Sequence, residues 1–207
     1  MSSDCKFPQN MPTHEDVKTR IIPFLLAGLV IGFLHSPSAA AGIPKVWDKT
    51  PDFTLQTLDD QTVRLGELTA KEKVVLVVLR GWPGYQCPVC DRQVQDFIKS
   101  ASDFAEAKAR VVFVYPGPAD DLKAQVKEFA EWRGKQWPKD FLYVMDPDYP
   151  VVNAYGLKWN APKETAYPSS FVLDRQGIVR FAKIGKSHGD RTKAADVLAE
   201  LKRWLED

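Results

Sequence analysis

The chain has 207 residues, 44% hydrophobic and 27% charged, with a formal net charge of +1, the balance of an ordinary globular protein. Near-neutral charge gives no electrostatic ground for nucleic-acid binding. The sequence contains no repeat, low-complexity tract or motif that calls for a bound cofactor.

At the N-terminus Lys18 and Arg20 precede an apolar run from Ile21 to Leu34, followed by Ser36-Pro37-Ser38-Ala39-Ala40-Ala41. A basic segment, a short apolar segment and small residues at Ala39 and Ala41 form the pattern of an export signal with a long basic region. The run is shorter than the roughly 20 residues that span a bilayer. Residues 1–41 are therefore expected to be removed, leaving a single domain, 42–207, in the periplasm or outside the cell. The alternative is a membrane anchor over residues 21–41, the one way in which a membrane would be involved. Cleavage would remove Cys5 and equal numbers of basic (Lys6, Lys18, Arg20) and acidic (Asp4, Glu15, Asp16) side chains.

From Pro51 to Leu65 two alternating stretches flank Asp59-Asp60, which predicts a β-hairpin. Lys73 to Arg80 is apolar enough for a central strand, and Val94, Phe97, Ile98, Ala101 and Phe104 make a helical stripe over about 88–107. Arg110–Tyr115 is a second buried strand, ended by Pro116-Gly117-Pro118. A helix over 119–133, a strand over 141–145 and a short helix over 149–155 follow. Ser169–Asp174 and Ile178–Ile184 around Arg175-Gln176-Gly177 predict an antiparallel hairpin. A last helix from about 192 carries Val197, Leu198, Leu201, Trp204 and Leu205 on one face. Strands alternating with helices, closed by a hairpin, predict a mixed α/β sheet flanked by helices, with an N-terminal β-hairpin extension.

Between the central strand and its helix stands Cys87-Pro88-Val89-Cys90. Two thiols two residues apart, opening a helix after a strand, have the spacing of a thioredoxin-like redox dithiol. A structural staple at this spacing would close almost no chain and stabilise little. Helix N-termini stabilise thiolates, and Pro88 suits the first helical position. Cys87 is the expected attacking sulfur and Cys90 the resolving one, with a modest lowering of the Cys87 pKa from the helix and Arg80. Trp82, Pro83 and Tyr85 flank the pair as a docking surface.

The stretches Thr50–Leu55, Trp82-Pro83 through Cys90, Tyr155-Gly156-Leu157 and Pro168–Gly177 resemble the alkyl hydroperoxide reductase/thiol-specific antioxidant (AhpC/TSA) redoxins of the thioredoxin-like superfamily. The resemblance implies a thioredoxin-like fold and a thiol-dependent oxidoreductase that draws electrons from an external donor. Exchange with a protein thiol or disulfide is the leading expectation. The peroxiredoxin pattern, an aromatic followed by Pro-x-x-x-Thr-x-x-Cys, aligns with Trp82 to Cys90 and implies an alternative thiol peroxidase, in which Cys90 attacks a hydroperoxide and Cys87 resolves. Here Cys87 replaces the threonine, and Pro168 stands where peroxiredoxins carry an arginine, so Arg80 or Arg92 would have to substitute. Pro168 also resembles the cis-proline that faces the dithiol of thioredoxins, which would turn the Tyr167 backbone toward a substrate strand. A third, non-enzymatic alternative joins Cys87 and Cys90 to His188 as a copper or zinc set.

Overall fold

The computed structural model describes residues 42–203. The expected export signal or anchor, Cys5, Trp204 and Leu205 lie outside these residues. No helix among the described residues is long and apolar enough to cross a membrane.

Seven strands form one sheet in the order β2-β1-β5-β4-β3-β6-β7. β3 (Lys73–Val78) is buried from Val74 onward. It lies between β4 (Ala109–Gly117), to which it is parallel, and β6 (Ser169–Leu173), to which it is antiparallel. Its unbroken apolar run reflects cover on both faces, the usual reason such strands lack alternation. Val75, Val77 and Leu79 enter one core and Val74, Leu76 and Val78 the other, as the two-residue period of a strand requires.

The first core lies under α2 (Pro88–Lys99), α3 (Ala101–Glu106), α4 (Leu122–Glu131) and α6 (Ala194–Arg203). Phe97 stacks on Phe104 at 5.3 Å and meets Phe113 edge-on at 5.7 Å. Each fully buried aromatic of this kind contributes about 1.5–3 kcal/mol through burial. The second core gathers Leu65 of α1 (Leu65–Thr69), Val151 and Val152 of α5 (Pro150–Ala154), Tyr155 and Leu157. β1 (Thr54–Thr57) and β2 (Thr62–Arg64) make the N-terminal hairpin, with β1 antiparallel to β5 (Phe141–Pro147). β7 (Val179–Ile184) closes the opposite edge against β6.

Several elements differ from expectation. The helix expected over 88–107 divides at Ser100, whose N–H turns back to Phe97 O, three residues earlier instead of four. β4 runs through Pro116 to Gly117, because β5 pairs beside it and the Pro116 carbonyl accepts the Trp82 N–H at 2.9 Å. α4 starts only at Leu122, after Asp121 in a left-handed conformation (φ 58°). α1 was not expected at all.

Candidate active site

The segment entering the dithiol is anchored to β4 at two points. Leu79 donates to Val114 O and Trp82 to Pro116 O, both at 2.9 Å. Between them Gly81 has φ +78°, and a Cβ there would lie 1.9 Å from Pro116 O. Only glycine tolerates both conditions. The chain then reaches Gln86, whose amide donates to Gln125 O and accepts from the Tyr115 hydroxyl.

Cys87 is the N-cap of α2 and Pro88 its first residue. The Cys87 sulfur takes the role of a capping oxygen, accepting the Cys90 N–H at 3.3 Å. Both cysteines are free thiols and buried, Cys87 at 2% exposure and Cys90 at 0%. Burial is felt unequally. A hydrogen bond from the Cys90 thiol, that backbone N–H and the nearby Arg191 charge hold the Cys87 thiol well below the ordinary range, against the effect of desolvation. Burial and the proton shared with Cys87 push Cys90 well above it. The arrangement separates a thiolate at Cys87 from a protonated thiol at Cys90, and the shift exceeds the modest one expected.

The cation among these causes, contributing less than the hydrogen bonds from Cys90, is Arg191, in the connection between β7 and α6. Its Nη2 stands 3.3 Å from Cys90 Sγ and 3.9 Å from Cys87 Sγ. Sequence reasoning missed it because 101 residues separate Arg191 from Cys90 and only the sheet topology brings them together. The guanidinium of Arg80 points elsewhere, against the expectation that it tunes the thiol. It is buried against Glu164 Oε2 at 2.5 Å and Lys163 O at 2.6 Å, with Tyr85 5.0 Å away. Arg92 is exposed on α2. Trp82 packs half-buried against the first core, Pro83 is half-buried, and Tyr85 is 44% exposed.

The cis peptide expected at Pro168 is absent, since the described residues contain no cis bond. A trans proline fits the start of a strand, where the missing N–H is not needed, and the Pro168 carbonyl accepts the Gly185 N–H at 2.8 Å. Nor does the Tyr167 backbone face a substrate strand. Its N–H donates to Leu157 O and its carbonyl accepts the Ser169 hydroxyl, while its ring stacks on Trp159 at 4.7 Å.

The metal set of Cys87, Cys90 and His188 is not assembled. Among the described residues no three His, Cys, Asp or Glu side chains cluster as metal ligands. The His188 ring is engaged by Glu164 Oε1 at 2.8 Å and lies edge-on to Trp159, and it is Arg191 that approaches the sulfurs.

The sequence profile of the AhpC/TSA family matches residues 46–182, a span that covers the N-terminal hairpin, the dithiol, β6 and the first part of β7. The chain belongs to the AhpC/TSA family. As a member it is a thiol-dependent oxidoreductase with the thioredoxin-like fold, and membership implies a hydroperoxide substrate and a thiol reductant. No curated protein matches the chain.

Solved structures agree on the fold. The peroxidoxin BcpB of Mycobacterium tuberculosis is 25% identical, covering 77% of this chain and 97% of its own, with a TM-score of 0.59. Reduced Prx3 of Vibrio vulnificus, solved with hydrogen peroxide, is 20% identical over 77% of this chain and 99% of its own, with a TM-score of 0.62. The mitochondrial 2-Cys peroxiredoxin of Plasmodium falciparum is 16% identical over 78% and 95%, with a TM-score of 0.61.

Proposed function

We propose that this AhpC/TSA redoxin cycles Cys87 and Cys90 between dithiol and disulfide, with Cys87 attacking and Cys90 resolving. The observation that carries it is the Cys87 sulfur at the N-cap of α2, accepting the Cys90 N–H. The thiolate is the nucleophile in such exchange. Cys87 attacks a substrate disulfide and forms a mixed disulfide, expelling one substrate sulfur as thiolate. Cys90 then loses its proton and attacks Cys87, releasing the second substrate thiolate and leaving the internal disulfide. Two electrons pass to the substrate, and an external thiol donor restores the pair.

A second reading is favoured by the family, whose membership implies a hydroperoxide substrate, and by Arg191, which lies nearer Cys90 than Cys87. Cys90 would attack a hydroperoxide, becoming a sulfenic acid as the peroxide leaves as an alcohol or water. Cys87 would then condense with it, releasing water and forming the same disulfide.

Stopped-flow oxidation of the reduced protein, with Cys87→Ser and Cys90→Ser alongside, separates the two. Under the leading proposal hydrogen peroxide oxidises the protein no faster than a free thiol. Protein-disulfide reduction is lost in Cys87→Ser, and Cys90→Ser accumulates a mixed disulfide. Peroxide oxidation far faster than that of a free thiol, retained in Cys87→Ser and abolished by Cys90→Ser, would replace it with the second reading. Export belongs to the same proposal, supported by the basic and apolar pattern up to Ala41; a mature N-terminus at Gly42 in exported material is the expected result of N-terminal sequencing.

A further inference from the structure

We propose that the exchange partner of this dithiol is a small disulfide flanked by carboxylates, drawn to Cys87 by a rim of cations on one side of the sulfurs. The inference rests on Cys87 and Cys90 being a dithiol that exchanges with an external disulfide.

The rim begins at the sulfurs themselves. Arg191 Nε donates to His188 O at 2.7 Å and Nη1 to Gln93 Oε1 at 2.8 Å, which leaves Nη2 facing the thiols. Lys186 and Lys193 stand on either side of Arg191 in the same connection, both exposed. Arg92 is exposed on α2, just beyond Cys90. Lys163 is exposed on the loop whose backbone holds Arg80, its carbonyl accepting Arg80 Nη2 at 2.6 Å.

The acids on this side are already engaged. Asp190 pairs with Lys183 at 2.7 Å and accepts the Lys186 N–H at 2.9 Å. Asp196 accepts the Lys193 N–H, Asp96 accepts the Ala194 N–H, and Glu164 lies between Arg80 and His188. Among the described residues no ion pair engages Arg92, Lys163, Lys186 or Lys193. Across the dithiol the sign reverses. Gln86 Nε2 reaches Gln125 O on α4, and the exposed residues leading into that helix are Asp120 and Asp121. The field at the sulfurs is therefore one-sided, although the whole chain carries a formal charge of only +1.

In free solution a thiolate and an anionic disulfide repel each other. Beside Cys87 the cations replace that repulsion with attraction. A unit charge about 7 Å away in water changes an encounter rate about threefold, so several cations together supply about tenfold. The Cys87 sulfur is 2% exposed, and exchange depends on access to the attacking sulfur, which favours a slim partner over a folded surface. Cys87 attacks one substrate sulfur, and the other leaves as a thiolate. Cys90 then attacks Cys87, its proton departing with the second substrate sulfur. Two electrons pass to the substrate and the internal disulfide remains.

The test mixes the reduced full chain with three small disulfides: dianionic dithiodipropionate, neutral hydroxyethyl disulfide and dicationic cystamine. Each rate is divided by that of mercaptoethanol with the same reagent. On this scale dithiodipropionate should exceed hydroxyethyl disulfide about tenfold at low salt, with cystamine slowest. The order should collapse near 1 M salt, where the screening length is about 3 Å. Lys186→Glu and Lys193→Glu should each lower the ratio of dianionic to neutral rates by about threefold or more. Lys71→Glu makes the same change of charge in the turn before β3, at the end of that strand remote from the dithiol, and should leave the ratio unmoved. Insulin, a folded disulfide protein, should react more slowly than dithiodipropionate on the same scale.

Equal normalised rates for the dianionic and neutral reagents overturn the proposal. So does a preference that survives high salt or persists in both rim variants, and so does insulin reacting faster than dithiodipropionate. In each of these cases exchange that is lost in Cys87→Ser leaves the dithiol reading standing. If no disulfide reacts faster than with the free thiol and Cys87→Ser behaves as the wild type, both fall.

Discussion

Replacing Lys135 by methionine should destabilise the domain by about 3 kcal/mol, the lower end of what breaking a buried ion pair costs. Lys135 Nζ lies 2.8 Å from Asp91 Oδ1, and both side chains are sealed, at 1% and 0% exposure. The ammonium also donates to Phe129 O and Trp132 O at the end of α4, and stands 4.4 Å from the Phe129 ring centre. Methionine fills similar volume but leaves a buried carboxylate and two carbonyls without their donor. Partial relief comes from Arg133, whose Nη1 is 3.6 Å from Asp91 Oδ2, and from the Gln95 amide at 2.9 Å; hence the lower end of the range. With a urea slope of about 2 kcal/mol per molar, the midpoint should fall by about 1.5 M. In the combined variant Asp91→Leu and Lys135→Met both charges are gone, and most of the loss should be recovered. A fall of less than about 1 kcal/mol in the single variant, by the same measurement, would refute the claim that this pair is buried.

Phe97→Ala removes a ring packed between Phe104 and Phe113 and should cost about 3–5 kcal/mol in urea unfolding; a loss under 1 kcal/mol would mean the cores are not packed as described. Gly81→Ala forces a Cβ toward Pro116 O at a positive φ and should lose more than about 1 kcal/mol, along with some of the Cys87 alkylation rate, since the strain falls on the segment that delivers the thiol. The depressed pKa of Cys87 sets a sign for pH. Its stabilisation is fully present above the unfolded thiol value of about 8.5 and is lost as pH falls through the folded value. Relative to Cys87→Ser, the reduced wild type should therefore lose its advantage in urea midpoint on acidification; a constant difference between the two proteins would contradict the shift.

Much of the sheet could be read from the sequence because burial wrote it there. Val74 to Val78 and Val111 to Tyr115 are unbroken apolar runs, and both became central strands. The break at Ser100 was hidden, since Phe97 and Phe104 stay on one face across it. α1 escaped because Leu65-Gly66-Glu67-Leu68-Thr69 is one turn long and holds a glycine, a weak helix former. At the site, residues close in the chain were legible. Cys87, Pro88 and Cys90 fell at the expected end of the expected helix. Arg191 carries no local signature, because an arginine in a polar connection looks like any solvated one. Gln93 is an intermediate case, for helical spacing puts it on the Cys90 face while nothing in the sequence says what it meets.

The position of Arg191 follows from the register of the closing hairpin. Ser169 pairs with Ile184, so the residues just outside that pair, Pro168 and Gly185, are neighbours joined by a hydrogen bond. Pro168 stands where the peroxiredoxin pattern has its arginine. The chain leaving β7 therefore starts out beside that place. Gly185 lets it fold back closely, since a Cβ there would lie 2.1 Å from Asp190 O, and Arg191 is the next residue. A guanidinium carried on a flexible stem can reach a sulfur from either of two adjacent backbones, whereas proline at 168 offers no donor of its own. The dithiol thus has a cation beside it although proline stands just before β6, at the place of the peroxiredoxin arginine. That cation's aim depends on contacts outside β6, through the His188 carbonyl and Gln93.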